Sequence, residues 1–113
     1  MYIGIDLGTS SVKAVLVDEI DGVVATASAS VETSRPRPLW SEQDPEAWWR
    51  ATCAAVGILR GQENLGNVRA IGLSGQMHGA TLLDAADRPL RPSILWNDGR
   101  SIDACRELER RAP

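Results

Sequence analysis

The chain has 113 residues, the length of one domain. Twelve Lys and Arg against 15 Asp and Glu give a net charge of −3 and a pI of about 5.1, which argues against a nucleic-acid binder with its clustered basic face. A composition of 43% hydrophobic and 24% charged residues is too apolar for a disordered chain, and no apolar run approaches the roughly 20 residues of a membrane span.

The N-terminus carries an acid, Asp6, where a signal peptide needs apolar residues, so a cytoplasmic chain is expected. Residues 2–7 read as a short apolar strand buried on both faces. Gly8-Thr9-Ser10-Ser11 is a turn signal, and residues 12–17, rich in β-branched side chains, form the next strand. Asp21-Gly22 marks a hairpin into a third strand over residues 23–31. These three make an antiparallel meander. Residues 32–39 contain Pro36 and Pro38 and form an extended connection, with Trp40 as its anchor.

Asp44-Pro45-Glu46 starts a helix, with an acid at the N-cap and Pro in the first turn. Trp49, Cys53, Val56 and Leu59 recur at three- and four-residue spacing and predict its buried stripe, and Gly61 its end. Residues 68–74 are a further apolar strand, which the helical crossover places parallel to an earlier one. A hairpin-like pair, 80–84 and 88–90, and one more strand over 93–96 follow. Asp98 is a candidate cap for a last helix in which Ile102, Cys105 and Leu108 share a face, with Glu107 and Glu109 on its solvated side. The fold class is thus α/β, a mixed sheet of three antiparallel strands followed by parallel ones with crossover helices.

Three stretches carry chemistry. In the first, Asp6 ends an apolar strand and is followed by Gly8, Thr9, Ser10 and Ser11, with Lys13 beyond. Turn N–H groups and hydroxyls suit phosphate, and a carboxylate there suits hydrated Mg²⁺; a plain glycine turn with a solvated acid is the alternative. Neither the Gly-Lys-Ser/Thr phosphate loop nor the three-glycine dinucleotide fingerprint occurs. The second, Gly75-Gln76-Met77-His78-Gly79, presents an amide, a thioether and an imidazole at a strand's carboxyl end, where open α/β sheets bind ligands. Gln76 and His78 suit the hydroxyls of a polyol and Met77 an apolar wall; a turn in which His78 only meets a carbonyl is the alternative. The third is Trp96-Asn97-Asp98-Gly99-Arg100, where Trp96 can stack on a sugar and Asp98 read hydroxyls, or where Trp96 is core and Asp98 a cap. Cys53, Cys105 and His78 are too few for a disulfide framework or a Cys/His metal cage.

Taken together, MYIGIDLGTSSVK, PLWSEQDPEAWW, SGQMHGATLLD and RPSILWNDGR resemble the N-terminal part of the FGGY family of carbohydrate kinases, within the actin-like ATPase superfamily. GQMHG and LWNDGR point within it to the pentulose kinases. The resemblance implies a ribonuclease-H-like fold and ATP-dependent phosphorylation of D-xylulose to D-xylulose 5-phosphate. It assigns Asp6 to Mg²⁺ through water, Gly8, Thr9, Ser10 and Lys13 to phosphate, and Gln76, Met77, His78, Trp96 and Asp98 to the sugar. Residues 1–113 are then expected to be the N-terminal part of the first, sugar-binding domain. The general base and the adenosine site are expected beyond Pro113, so these residues alone should not turn over ATP. Expected partners are the sugar and ATP, without nucleic acid or membrane, and a homodimer is compatible with the sequence. A kinase for another polyol or sugar acid, or a non-catalytic sugar-binding module, is the alternative.

Overall fold

Alternating large apolar and small residues build the first three strands. Tyr2–Leu7 (β1), Ser11–Asp18 (β2) and Gly22–Ser30 (β3) pair antiparallel in sequence order, with a bulge between Leu16 and Val17. The computed structural model describes residues 1–112. The turn into β3 is held by the Asp18 carboxylate, which accepts from the N–H of Ile20 at 2.9 Å, and by Gly22 at φ 73°. Period-two alternation sends Ile3, Ile5, Val12, Ala14 and Leu16 to one side, where all are buried. Gly4, Asp6 and Lys13 face the other side and are exposed. The expected strand buried on both faces is therefore buried on one, because only one face of the sheet carries a helix.

That helix is Pro45–Gln62 (α1). Asp44 caps it, its carboxylate accepting from Glu46 N–H at 3.0 Å, and Pro45 occupies the first turn. The helix runs through Gly61 rather than ending there, and closes with Glu63 N–H donating to the Leu59 carbonyl at 2.9 Å. Its buried stripe is Ala51, Ala55 and Leu59. Of the predicted stripe only Leu59 is buried: Val56 is half-buried, Cys53 exposed and Trp49 66% exposed. Helix α1 packs across β2 and β3, where the sheet offers Ala14 and Ala27. A close approach of helix to sheet favours alanine over tryptophan at the contact.

Ala70–Gly75 (β5) then joins β1 in parallel, giving the order β3-β2-β1-β5. As the edge strand lying away from α1, it leaves Ile71 and Leu73 59% and 75% exposed. A second, two-stranded sheet pairs Glu42–Gln43 (β4) with Ser93–Ile94 (β6), so the predicted strand over 93–96 is only two residues long. The expected extended connection is bridged back through Ser34 to Glu42. The pair 80–84 and 88–90 reduces to a bridge between Leu83 and Pro89 around a turn capped by Asp84. Ile102–Arg111 (α2) begins after Ser101, not at Asp98, whose carboxylate is engaged elsewhere. The face shared by Ile102, Cys105 and Leu108 is exposed. No helix among the described residues is long and apolar enough to cross a membrane.

Candidate functional site

Because β1 and β5 are parallel, their carboxyl ends open on the same edge of the sheet, and the first two chemical stretches begin there. Gln76 N–H donates to the Leu7 carbonyl at 3.0 Å, extending the pairing one residue past β5. The turn after β1 closes with Gly8 N–H donating to the Ser11 carbonyl at 3.0 Å, while Val31 N–H donates to the Ser10 carbonyl at 2.9 Å. A Cβ on Gly8 would stand 3.0 Å from the Ser11 backbone oxygen, so a larger residue would have to push this turn open by a few tenths of an ångström.

Side chains join the turn to both other stretches. Thr9 Oγ1 donates to Gln76 Oε1 at 3.1 Å, and the Trp96 indole N–H donates to Thr9 Oγ1 at 3.3 Å. Thr9, Gln76 and Trp96, named by the sequence from three separate stretches, are one hydrogen-bonded group. Trp96 is 59% exposed, so its ring face remains open to a ligand rather than serving as core. Behind them lies Gln43, which the sequence did not single out. It is 1% exposed, and its amide meets Thr9, Gln76, Thr33 and Trp48.

Asp6 and Lys13 are register partners across β1 and β2 and lie on the face without a helix. With Gly72 and Ser74 they line an open concavity of about 320 Å³. Among the described residues, no hydrogen bond or ion pair engages the Asp6 carboxylate, and no three potential metal ligands cluster. A cation at Asp6 would therefore take most of its ligands from water and from what it accompanies. A carboxylate without a protein partner among the described residues, two positions before the Gly8–Ser10 turn in sequence, is chemically suited to a hydrated Mg²⁺.

Met77 is 71% exposed and His78 is exposed. His78 adopts φ 60°, a left-handed conformation that costs a non-glycine residue about 1–3 kcal/mol. The strain is imposed from both ends: Gln76 is tied to Leu7, and Ala80 exchanges backbone hydrogen bonds with Ile94 at 2.9 and 3.1 Å. This short pinned arch carries the thioether and imidazole outward.

Asp98 differs from the other candidates. Its side chain is 1% exposed and accepts from Ser41 N–H at 2.6 Å, from Arg100 N–H at 2.9 Å and from the Arg100 guanidinium at 2.6 and 2.8 Å. The guanidinium also bonds Glu42 at 2.8 Å and lies 3.6 Å from the Trp40 ring centroid. Arg100 above all, helped by the two backbone N–H groups and opposed by desolvation, holds the Asp98 carboxyl far below the usual carboxylate range. Its carboxylate, held mainly by hydrogen bonding, raises the Arg100 pKa in turn. The cluster fastens the Trp96–Arg100 loop to the Trp40–Glu42 segment. Gly99 N–H completes it by donating to the Leu39 carbonyl at 2.7 Å. Glu42 and Gln43 were not singled out by the sequence, and Arg100, within the third stretch, was given no role there; the polar run Ser41-Glu42-Gln43 between a Trp and a helix cap was the local sign of the first two.

The family model for the FGGY family of carbohydrate kinases, N-terminal domain, matches residues 1–112. The chain is 59% identical over 113 residues to the xylulose kinase of Escherichia coli (strain K12), covering 100% of this chain and 23% of that protein. A crystal structure of a xyloylose kinase from Brucella ovis superposes with a TM-score of 0.93 at 53% identity, covering 97% of this chain and 24% of that one. The gluconate kinase structure from Lactobacillus acidophilus superposes with a TM-score of 0.91 at 29% identity, covering 97% of this chain and 22% of that one. The chain thus spans just under a quarter of the length of these relatives.

Proposed function

We infer that this chain, which belongs to the FGGY family of carbohydrate kinases, supplies the sugar-recognising part of a kinase that transfers a phosphoryl group from ATP to D-xylulose, giving D-xylulose 5-phosphate. The observation that carries the reading is the hydrogen bond between Thr9 and Gln76, which brings the phosphate-type turn and the polyol-type arch to one edge of the sheet. Phosphoryl transfer needs that juxtaposition, since it proceeds mainly by positioning and charge neutralisation.

In this reading the backbone N–H groups of Thr9 and Ser10 meet phosphate on a turn that the Gly8 N–H closes onto Ser11, Lys13 offers a cation, and Asp6 receives Mg²⁺ through water. Mg²⁺ supplies neutralisation of the oligophosphate when bound. Gln76, Met77 and His78 line the sugar, and Trp96 stacks on its C–H face. Asp98, turned inward, serves the sugar by holding Trp96 in place. The carboxylate that takes the sugar proton and the groups that grip adenosine come from the remainder of the enzyme.

A kinase for a sugar acid is the second reading, because the gluconate kinase is nearly as close in shape. Sequence favours the ketopentose, at 53–59% identity against 29%. The test is a coupled ADP-release assay on the full-length protein with Mg²⁺, ATP, and D-xylulose or gluconate in turn. Preference for D-xylulose is expected. Turnover with gluconate and none with D-xylulose would overturn the assignment.

A further inference from the structure

Gln43 makes hydrogen bonds at all four positions that a primary amide offers. Its Nε2 donates to the Thr9 carbonyl at 2.6 Å and to Thr33 Oγ1 at 3.0 Å, and its Oε1 accepts from the Trp48 indole N–H at 2.9 Å and from Gln76 Nε2 at 3.1 Å. Two of these partners work in one direction only. An indole N–H can only donate and a carbonyl can only accept, so the amide cannot be flipped.

That fixed orientation propagates. Gln43 Oε1 must face a donor on Gln76, so Gln76 presents Nε2 to it and turns Oε1 toward Thr9. The Thr9 hydroxyl must then donate its single proton to Gln76, while one lone pair already takes the Trp96 indole N–H. A closed ring results, running from Thr9 to Gln76 to Gln43 and back to the Thr9 carbonyl. One acceptor lone pair remains on Thr9, and one N–H and one lone pair remain on Gln76.

We propose that Gln43 is a positioning residue that sets the polarity of this site: it makes the Thr9 hydroxyl an acceptor toward any ligand and holds Gln76 with one N–H free for a substrate hydroxyl. An acceptor at Thr9 repels a phosphate oxygen and welcomes a donor, either a water on a cation or a hydroxyl of the sugar. Phosphate at this turn is then met by backbone N–H groups and not by the Thr9 side chain. The ring also ties the phosphate turn to the sugar arch. The inference rests on the ketopentose-kinase reading for what binds, but not for the ring itself.

The test uses the full-length protein labelled with 5-fluorotryptophan, with the Trp48 and Trp96 resonances assigned by single Trp→Phe replacement. Gln43→Met should move the Trp96 fluorine resonance, although Trp96 bonds Thr9 and not Gln43, and should lower kcat/KM for the ketopentose roughly tenfold to hundredfold, the scale of losing an orienting partner behind a site. Thr33→Val, which removes an acceptor outside the ring, should leave Trp96 where it is. Should Gln43→Met not fold, Thr9→Val provides the reciprocal reading and should move Trp48, whose indole N–H bonds Gln43. A silent Trp96 in Gln43→Met, a silent Trp48 in Thr9→Val, or a Thr33→Val shift as large as that of Gln43→Met overturns the proposal. A wild-type protein that phosphorylates no ketopentose sinks the functional reading and leaves the resonance test to decide the ring.

Discussion

Replacing Arg100 with Met should destabilise the chain by about 3–4 kcal/mol at pH 7. The guanidinium is 14% exposed and neutralises Asp98, which is 1% exposed, and Glu42, which is 11% exposed. Removing one member of a buried pair costs about 3–5 kcal/mol, because the remaining charge stays desolvated and uncompensated. Glu42 keeps a second cation, Arg91, at 3.7 Å, so the penalty falls mainly on Asp98. Protonation caps that penalty. At pH 7, about three units above the ordinary aspartate value, binding a proton costs about 4 kcal/mol, and at pH 5 only about 1.5 kcal/mol. In the wild type the Asp98 pKa is depressed, so its contribution is complete above the ordinary carboxylate range and is lost as pH falls through the folded-state value. The difference between variant and wild type should therefore be largest at pH 7 and shrink by half or more at pH 5. Urea denaturation followed by far-UV circular dichroism at both pH values measures it. A loss below about 1 kcal/mol at pH 7, or an equal loss at both pH values, would refute the assignment of Arg100 as the counter-charge of a buried carboxylate.

Ser41→Ala should be neutral to stabilising, by up to about 1 kcal/mol, since it removes a buried hydroxyl with no hydrogen-bond partner among the described residues; a urea midpoint showing a loss above about 1 kcal/mol would mean that the hydroxyl has one. Leu59→Ala, which empties a fully buried position under α1, should cost about 2–5 kcal/mol by the same measurement. If the proposed kinase activity holds, Asp6→Asn in the full-length protein should lower kcat at least about 10²-fold without shifting the melting temperature, because Asp6 is exposed; near-normal turnover at low Mg²⁺ would make the carboxylate dispensable. For His78, the informative replacement is Asn, which tolerates the left-handed backbone that Ala would strain. His78→Asn should raise KM for the sugar with an unchanged melting temperature, and the opposite pattern would mark the imidazole as structural.

What the sequence disclosed is what short-range physics controls. β-branched runs and the Asp21-Gly22 turn gave the meander, and Asp44-Pro45-Glu46 gave the helix start to the residue. Tertiary contact decided the rest. Apolarity alone ranks Trp49 above Ala51 and Ala55, yet Ala51, Ala55 and Leu59 share the core with Ala14 and Ala27, and Trp49 lies on the solvent side of the helix. Asp98 looked like a helix cap because an acid before a helix usually is one. Its true partner arrived with the loop itself, at Arg100, and with Ser41, 57 residues earlier. Gln43 was illegible for the same reason. Its partners lie up to 34 residues before and 33 after it, and no local pattern marks a glutamine as the centre of a ring. The three chemical stretches were found from residue type and glycine spacing, but their meeting at Thr9 depended on a parallel strand pairing that only the folded chain makes.

The strand order carries a kinetic consequence. The meander can form from neighbouring segments, with short loops to close and little entropy to lose. The backbone bonds that close the turn at Gly8–Ser11, to Ser11 and from Val31, therefore lie within the early meander. The turn's hydrogen bond to Gln76 spans 67 residues, and waits for β5 to close the longest loop in the sheet, the kind of contact that slows folding. A chain arrested at the meander would have a native-like hairpin, a normal strand signature and no Gln76–Gly79 arch. Recovery of the Thr9–Gln76 contact during refolding should thus trail recovery of the hairpin, so that the junction of turn and arch marks the last event of assembly and not its beginning.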